Sequence, residues 1–495
     1  MLIQDITTLQ NGSDIRGVAM EGVDDEPVTL TQDMTMKIAY SFGLWLQEKT
    51  GKEKLSIAVG RDSRLTGQNL AQAACLGLVC TGNAVYDCGL ATTPAMFMTT
   101  LDPEINCDGA VMITASHLPF NRNGIKLFDK AGGLNKEDIA EILQQAETVE
   151  TGFKLGGKRE DYAFIPKYAN NIVNIIRERT GEETPLAGAH IVVDAGNGAG
   201  GFFAKLVLEP LGANTEGSQF LEPDGHFPNH IPNPEAPEAI DAIVKAVQDN
   251  SADMGIIFDT DVDRAAIIDE KGHAINRNAF IAFIAAMLLK QHPGTTIVTD
   301  SVTSTGLTEF IEGLGGKHHR FKRGYKNVIN EAIRLNDAGV ETHLAMETSG
   351  HGAIKENYFL DDGAYLVTMA LIQYAELHKA GKKLSDFLKD LKEPAEAAEY
   401  RYKIHDEHFV VYGNQVLEAF KNFAENQEGW SLVEPNYEGV RVACDKDHGN
   451  GWCLLRMSLH DPILPLNIES DEVGGIAKIK EGMDAFLKDY DKLSC

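Results

Sequence analysis

An α/β fold is predicted, organised as three successive mixed α/β domains plus a smaller C-terminal α+β domain, and three observations predict it. Short β-rich runs alternate with longer helical stretches along most of the chain. Each run ends in a turn rich in Gly, Asp or Ser, the kind of polar loop that binds ligands at the carboxyl ends of strands. From about Glu396 the composition changes to a Tyr and His-rich opening, followed by alternating apolar residues around Trp452.

The β-rich runs fall at residues 55–59, 110–113, 190–193, 254–258 and 296–299. The first opens onto Gly60-Arg61-Asp62-Ser63-Arg64, the second onto Thr114-Ala115-Ser116-His117, and the third onto the glycine-rich stretch from Asp194 to Gly201. The fourth opens onto Asp259-Thr260-Asp261-Val262-Asp263-Arg264. Polar stretches near Gly156-Gly157-Lys158, Glu270-Lys271-Gly272 and Lys392-Glu393-Pro394 divide the chain into segments 1–160, 161–272, 273–393 and 394–495. The apolar run from Phe280 to Leu289 is too short to span a bilayer and reads as a buried helix.

The 495 residues exceed the roughly 250–300 at which single cores stop growing, so several domains are expected. A net charge of −28, from 73 acidic against 45 basic residues, disfavours nucleic acid and anionic membranes as partners. A small anionic ligand remains compatible if arginines and lysines build a local cationic pocket. Met1-Leu2-Ile3-Gln4-Asp5 lacks the basic start and apolar run of a secretory segment. The 7 cysteines are scattered without zinc-site spacing, and a reducing, cytoplasmic location is the expectation. A monomer or homodimer is expected.

Two segments carry the chemistry. Alternate aspartates Asp259, Asp261 and Asp263 at the exit of an apolar strand can converge on one cation, and three carboxylates suit Mg²⁺. A calcium loop would need glycine at position six, where Arg264 stands, ready to grip phosphate or orient a carboxylate. The other segment delivers Ser116 into a turn crowded with His117, Asn121, Asn123, Gly124 and Lys126. A bare serine hydroxyl is a poor nucleophile, but beside Lys126, His117 and a divalent ion it suits a phosphoserine with a transferable phosphoryl group. Taken alone, Ser116 reads rather as a cap of the following turn, and the surrounding residues and the aspartates reverse that reading.

These residues resemble the α-D-phosphohexomutases, the family that includes phosphoglucomutase and phosphomannomutase, over nearly the whole length. The family's phosphoserine loop, Thr-Ala-Ser-His-Asn-Pro then Asn-Gly-x-Lys, is kept except that Leu118 replaces Asn, and its metal loop Asp-x-Asp-x-Asp-Arg is matched fully. The resemblance implies domains around a central active-site cleft, Mg²⁺ held by Ser116, Asp259, Asp261 and Asp263, and an opening loop whose Arg16 contacts the phosphoserine. It further implies a sugar loop in which Glu347 and Ser349 hold hydroxyls, with His351 beside them as a candidate acid or base. Arg323-Gly324-Tyr325-Lys326 resembles a recognition loop. Arg456 and Ser458 stand in the phosphate clamp, where Leu459 and His460 replace the usual Gly and Thr and His460 is the substitute donor.

The implied reaction moves phosphate between carbons one and six of a hexose, glucose or mannose, through a bisphosphorylated sugar. Hexose 1,6-bisphosphate is the implied activator, and Lys126 and His351 compete as proton acceptor. Two rival readings stand beside it. Asp259 on its strand also fits the nucleophile of haloacid-dehalogenase-like phosphatases, and the altered clamp fits a catalytically silent sugar-phosphate binder.

Overall fold

The computed structural model describes residues 5–150, 156–458 and 461–495. The chain forms two compact units, one of residues up to Phe280 together with Ser349–Phe387, the other of Ile281–Thr348 with Leu388–Cys495. This division cuts across the third segment expected from sequence, because the stretch from Ser349 belongs with the first unit.

In the first unit an eight-stranded sheet runs in the order Gln10–Asn11, Asp14–Val18, Arg122–Asp129, Gly109–Ile113, Ser56–Arg61, Ala84–Leu90 and Lys158–Asp161, with Gly132–Gly133 pairing off the path. Ser56–Arg61 is parallel to both of its neighbours. Ile57, Val59, Val111 and Ile113 are fully buried beneath helices Gln32–Thr50, Gly67–Cys80 and Lys136–Thr148. Each such side chain contributes about 1.5–3 kcal/mol. Strands covered on both faces read as unbroken apolar runs, which is why the sequence displays them.

A second sheet orders Ala274–Ile275, Ala265–Asp269, Met254–Phe258 and Ile191–Asp194. Met254–Phe258 is parallel to Ile191–Asp194 and antiparallel to Ala265–Asp269, so the aspartate segment is the turn of a hairpin. Helix Pro237–Asn250 covers it through Ile243 and Val247.

In the second unit, Thr296–Thr299 pairs in parallel with Lys317–Arg320 and Thr342–Met346. A six-stranded antiparallel sheet follows, ordered Trp430–Leu432, Val440–Cys444, Gly451–Leu455, Ile463–Ser470, Glu396–Ile404 and Leu493–Ser494. Helices Phe409–Glu425 and Gly475–Leu487 pack on it through Phe420, Ile479 and Phe486. The alternating pattern at Trp452 becomes a strand buried on both faces: Cys453 and Leu455 join this core, while Trp452 and Leu454 pack with Val302. The Arg441 guanidinium lies 3.6 Å from the Trp452 ring centroid and donates to the carbonyls of Ser301 (2.7 Å) and Thr303 (3.0 Å). The fold class is therefore the one predicted: α/β segments followed by a β-rich C-terminal one.

The run from Phe280 to Leu289 lies in helix Arg277–Gln291, buried as expected. Among the described residues no helix is long and apolar enough to cross a membrane.

Candidate active site

The strand Gly109–Ile113 carries the chain to Ser116, whose backbone takes a left-handed φ of 50°. That conformation is costly for a non-glycine residue and persists only where its surroundings impose it. Here Ser116 N–H donates to Thr114 Oγ1 at 2.9 Å. Arg64, fully buried, donates from one guanidinium to the carbonyls of Ser116 (2.5 Å), Pro119 (2.8 Å) and Arg122 (2.9 Å), and also to that of Leu118. A Cβ on Gly124 would stand 2.3 Å from the Ile15 carbonyl oxygen and 2.8 Å from that of Thr114, so only glycine lets the opening strand and the serine loop meet.

Across from this loop, Asp259, Asp261 and Asp263 are all buried, with one carboxylate oxygen of each within 4.8 Å of the others. The turn is tight: Asp259 N–H donates to the Arg264 carbonyl at 3.3 Å, and Val262 adopts φ 67°, an outlier for a β-branched residue. A Cβ on Gly198 would lie 2.7 Å from the Thr260 carbonyl oxygen, so the glycine-rich loop after Ile191–Asp194 backs this turn. Asp261 Oδ1 and both oxygens of Asp263 lack hydrogen-bond partners among the described residues. Three buried carboxylates, two of them with orphaned oxygens, concentrate negative charge in the interior, and their oxygen-only set fits a hard divalent cation.

Ser116 Oγ donates to Asp259 Oδ2 at 2.9 Å and accepts from Arg264 Nη2 at 2.9 Å. The predicted serine and aspartate segments thus form one site. Arg264 also donates to Asp259 Oδ2 (3.2 Å), to Asn233 Oδ1 (3.4 Å) and to His117 Nδ1. Arg16 donates to the Thr114 carbonyl (2.9 Å) and to Asp14 (2.8 Å), and Lys126 Nζ sits 3.3 Å from Asp14 and 3.4 Å from Asp263. His351 bonds Asp361 at 2.6 Å and lies 3.8 Å from Asp263.

The electrostatics follow. Burial, with Asp263 and Asp261 beside it, pushes Asp259 well above the usual carboxylate range. Burial and the Arg264 and His351 charges push His117 down to about 2, so it stays neutral and accepts a hydrogen bond from Arg264. Burial alone would depress His351, but Asp361 and Asp263 outweigh it and raise the ring to about 9. One histidine is held neutral and the other charged.

Within the second unit, Gly324 N–H donates to Glu347 Oε1 at 2.6 Å, with Gly324 at φ 111°. Tyr325 begins helix Tyr325–Asp337. Arg323 lies 3.7 Å from Asp300, and its N–H donates to Glu438 at 3.2 Å. Arg456 is buried, its Nε has no hydrogen-bond partner among the described residues, and burial lowers its guanidinium against the pull of Glu438. Ser458 Oγ accepts from the Asp461 N–H at 3.3 Å. His460 and Leu459 lie outside the described residues. In the first unit the Ser349 hydroxyl is buried and without a partner among the described residues.

Sequence reasoning missed four participants. Thr93 Oγ1 donates to Asp261, Asp361 orients His351, Asp14 joins Arg16 to Lys126, and Asp300 accepts from Thr348 Oγ1 at 2.7 Å. Only Asp300, placed just after the strand Thr296–Thr299, carried a local signal.

Comparison with known proteins gives the site its context. Three successive descriptions match: phosphoglucomutase/phosphomannomutase alpha/beta/alpha domain I at residues 7–152, domain II at 166–272 and domain III at 276–394. A phosphomannomutase/phosphoglucomutase of Pseudomonas putida is 30% identical over 445 residues, 88% of this chain and 89% of that one. The chain belongs to the phosphoglucomutase/phosphomannomutase family. A Neisseria gonorrhoeae phosphoglucomutase is also 30% identical, covering 96% of this phosphohexomutase and 95% of the relative. A crystal structure of a Burkholderia thailandensis member of the family superposes with TM-score 0.80 at 26% identity, covering 99% of this chain and 98% of that one. Membership decides against the haloacid-dehalogenase-like alternative. The chain is a phosphohexomutase whose substrate class is a sugar phosphate.

Proposed function

We propose that this enzyme interconverts hexose 1-phosphate and hexose 6-phosphate, of glucose and/or mannose, with Ser116 carrying the transferable phosphate. The observation that supports it most is the Ser116 hydroxyl held 2.9 Å from Asp259 and 2.9 Å from Arg264. Relatives named for glucose and for mannose chemistry supply the two candidate sugars. We assign the four segments 1–160, 161–272, 273–393 and 394–495 to the serine loop, the metal loop, the sugar loop and the phosphate loop.

Asp259, Asp261, Asp263 and the Ser116 oxygen would hold Mg²⁺, which supplies positive charge against the phosphoryl oxygens. Arg16 and Arg264 surround the phosphoserine with further cations, while His117 stays neutral and steadies Arg264. The P–O bond to Ser116 breaks as one forms to a sugar hydroxyl. His351, held charged, serves as proton donor, leaving Lys126 as acceptor of the hydroxyl proton once Asp263 is engaged elsewhere. Glu347 and Ser349 hold sugar hydroxyls. Arg456, Ser458 and His460 hold the phosphate not being transferred, with Arg323, Gly324 and Tyr325 beside them. The bisphosphorylated sugar then reorients and returns its other phosphate to Ser116, so hexose 1,6-bisphosphate primes the enzyme. All 7 cysteines are free thiols, which supports a cytoplasmic site of action.

The test is a panel of the 1-phosphates of glucose, mannose, glucosamine and N-acetylglucosamine with Mg²⁺ and a trace of hexose bisphosphate, run on the wild type and Ser116→Ala. Turnover on glucose or mannose, and loss of both turnover and protein-bound phosphate in the variant, are expected. Bisphosphate-dependent turnover surviving in Ser116→Ala overturns the assignment, and binding without turnover in the wild type indicates a silent binder.

A further inference from the structure

A second cluster of ligating side chains lies in the second unit, at the amino-terminal end of the strand whose other end leads to Glu347. His292, Glu341 and His343 each present one ligand atom, all within 4.8 Å of one another. The His292 and His343 rings stack with centroids 3.6 Å apart and planes 9° from parallel. His343 Nε2 lies 2.9 Å from Glu341 Oε1.

The backbone aims these groups. Thr296 pairs with Thr342, but the next pair in the ladder is Ile297 with Leu344. His343 is the extra residue of a β-bulge, a device that re-aims one side chain of a strand. Glu341 is held at the strand entrance, where its carbonyl accepts from Thr296 N–H at 2.8 Å and Thr295 Oγ1 at 3.3 Å. His292 follows helix Arg277–Gln291 directly, and its N–H donates to the Leu288 carbonyl at 2.7 Å. Three fixed backbone points therefore deliver two imidazoles and a carboxylate to one place at the surface, where Glu341 is 59% exposed and His343 only 12%.

We propose that His292, Glu341 and His343 form a second metal site, selective for a borderline-soft divalent cation such as Zn²⁺ and distinct from the all-carboxylate cluster. Two imidazoles with one carboxylate are a zinc-type donor set, and imidazole is a poor ligand for Mg²⁺. Ligand atoms at about 2.0–2.2 Å from a tetrahedral zinc lie less than about 4 Å apart, so the set closes once the two rings turn out of their stack to aim both nitrogens at one point, leaving a position for water. Glu347 stands four residues beyond His343 along strand Thr342–Met346, about 13 Å away. Its role is to pin the strand and its bulge, not to touch substrate.

The experiment uses full-length protein stripped of metal and returned to saturating Mg²⁺, titrated with Zn²⁺ against a chromophoric chelator and with Co²⁺ under visible absorption. An Asp259→Asn/Asp261→Asn double variant removes competition from the carboxylate cluster. A Zn²⁺ site is expected in both proteins, with strong Co²⁺ bands typical of four-coordinate nitrogen and oxygen ligation. His292→Ala and His343→Ala should weaken Zn²⁺ by more than about tenfold, since even outer hydrogen-bonding partners of ligands are worth about 10–100-fold. Mutase turnover in Mg²⁺ should be unchanged in these variants. His343→Gln, closer in size, repeats the test if an alanine variant melts early. Equal Zn²⁺ affinity in wild type and histidine variants, or no Zn²⁺ binding in the double variant, overturns the proposal.

Discussion

Arg64 Nη2 donates to the carbonyl oxygen of Ser116 at 2.5 Å across 52 residues of sequence, so the loop carrying Ser116 is shaped by a buried cation from a different strand-end loop. Asp62, 3.5 Å from the same guanidinium, is its charge partner, and burial, eased by Arg64, leaves that carboxyl at about 6. Replacing Arg64 by Met strands Asp62 and releases four carbonyls. The expected result is a loss of about 3–5 kcal/mol in urea unfolding, with turnover falling more steeply than Mg²⁺ affinity. Unchanged unfolding and turnover would contradict the role given to this side chain.

Asp261 links the carboxylate cluster to stability. Burial and Asp263 raise it, so the metal-free protein carries unfavourable negative charge in its interior. Asp261→Asn should melt at higher temperature than the wild type in chelator. Added Mg²⁺ should raise the wild-type melting temperature and leave the variant nearly unmoved. Turnover of the variant should drop by at least about 10²-fold, a barrier change of about 2.7 kcal/mol. Thermal melts with and without Mg²⁺, beside a coupled assay, check both halves.

Thr93 gives a finer test. Its hydroxyl donates to Asp261, and Thr92 and Thr93 open the short helix Thr93–Met98, so the donor is fixed by a capped helix start. Thr93→Val keeps the shape and removes the donor. The variant should stay within about 1–2 kcal/mol of wild-type stability while Mg²⁺ binds about 10–100-fold more weakly, read by activity against Mg²⁺ concentration.

His230 supplies a pH dependence remote from the chemistry. It lies 3.1 Å from Asp194, and although burial alone would lower it, the hydrogen bond and charge of Asp194 raise it above the ordinary histidine value. The folded protein therefore holds this proton more tightly than the unfolded chain. The resulting stabilisation is complete below the unfolded value of about 6.5 and fades as pH rises through the folded value. The melting-temperature gap between wild type and His230→Gln should be widest near pH 5.5 and narrowest near pH 9, both approximate. A gap that widens with rising pH would refute the assignment.

How much of this was legible follows from where the information sits. The five β-rich runs became strands within about two residues because buried strands spell continuous apolar stretches. Ser116 and the aspartates were legible because their chemistry is written locally in short motifs. Thr93 was invisible because its partner Asp261 lies 168 residues away, and no spacing in either segment records that meeting. The same holds for Asp14, whose bond to Lys126 depends on the pairing of Asp14–Val18 with Arg122–Asp129. The charge state of His117 was not legible either, because burial and Arg264, which push its ring down, are properties of the assembled fold. The bulge at His343 was hidden for another reason: a ladder irregularity is a relation between two strands and leaves no trace in either alone.

The Arg441 clasp has a mechanical consequence. Its stack on Trp452 and its two bonds to the Ser301 and Thr303 carbonyls rivet the β-rich terminal sheet to the parallel ladder next to it. Arg323 follows the ladder strand Lys317–Arg320 and Arg456 follows the sheet strand Gly451–Leu455, so the loops leaving these two strands share one base, and a shift of either layer is carried to the other.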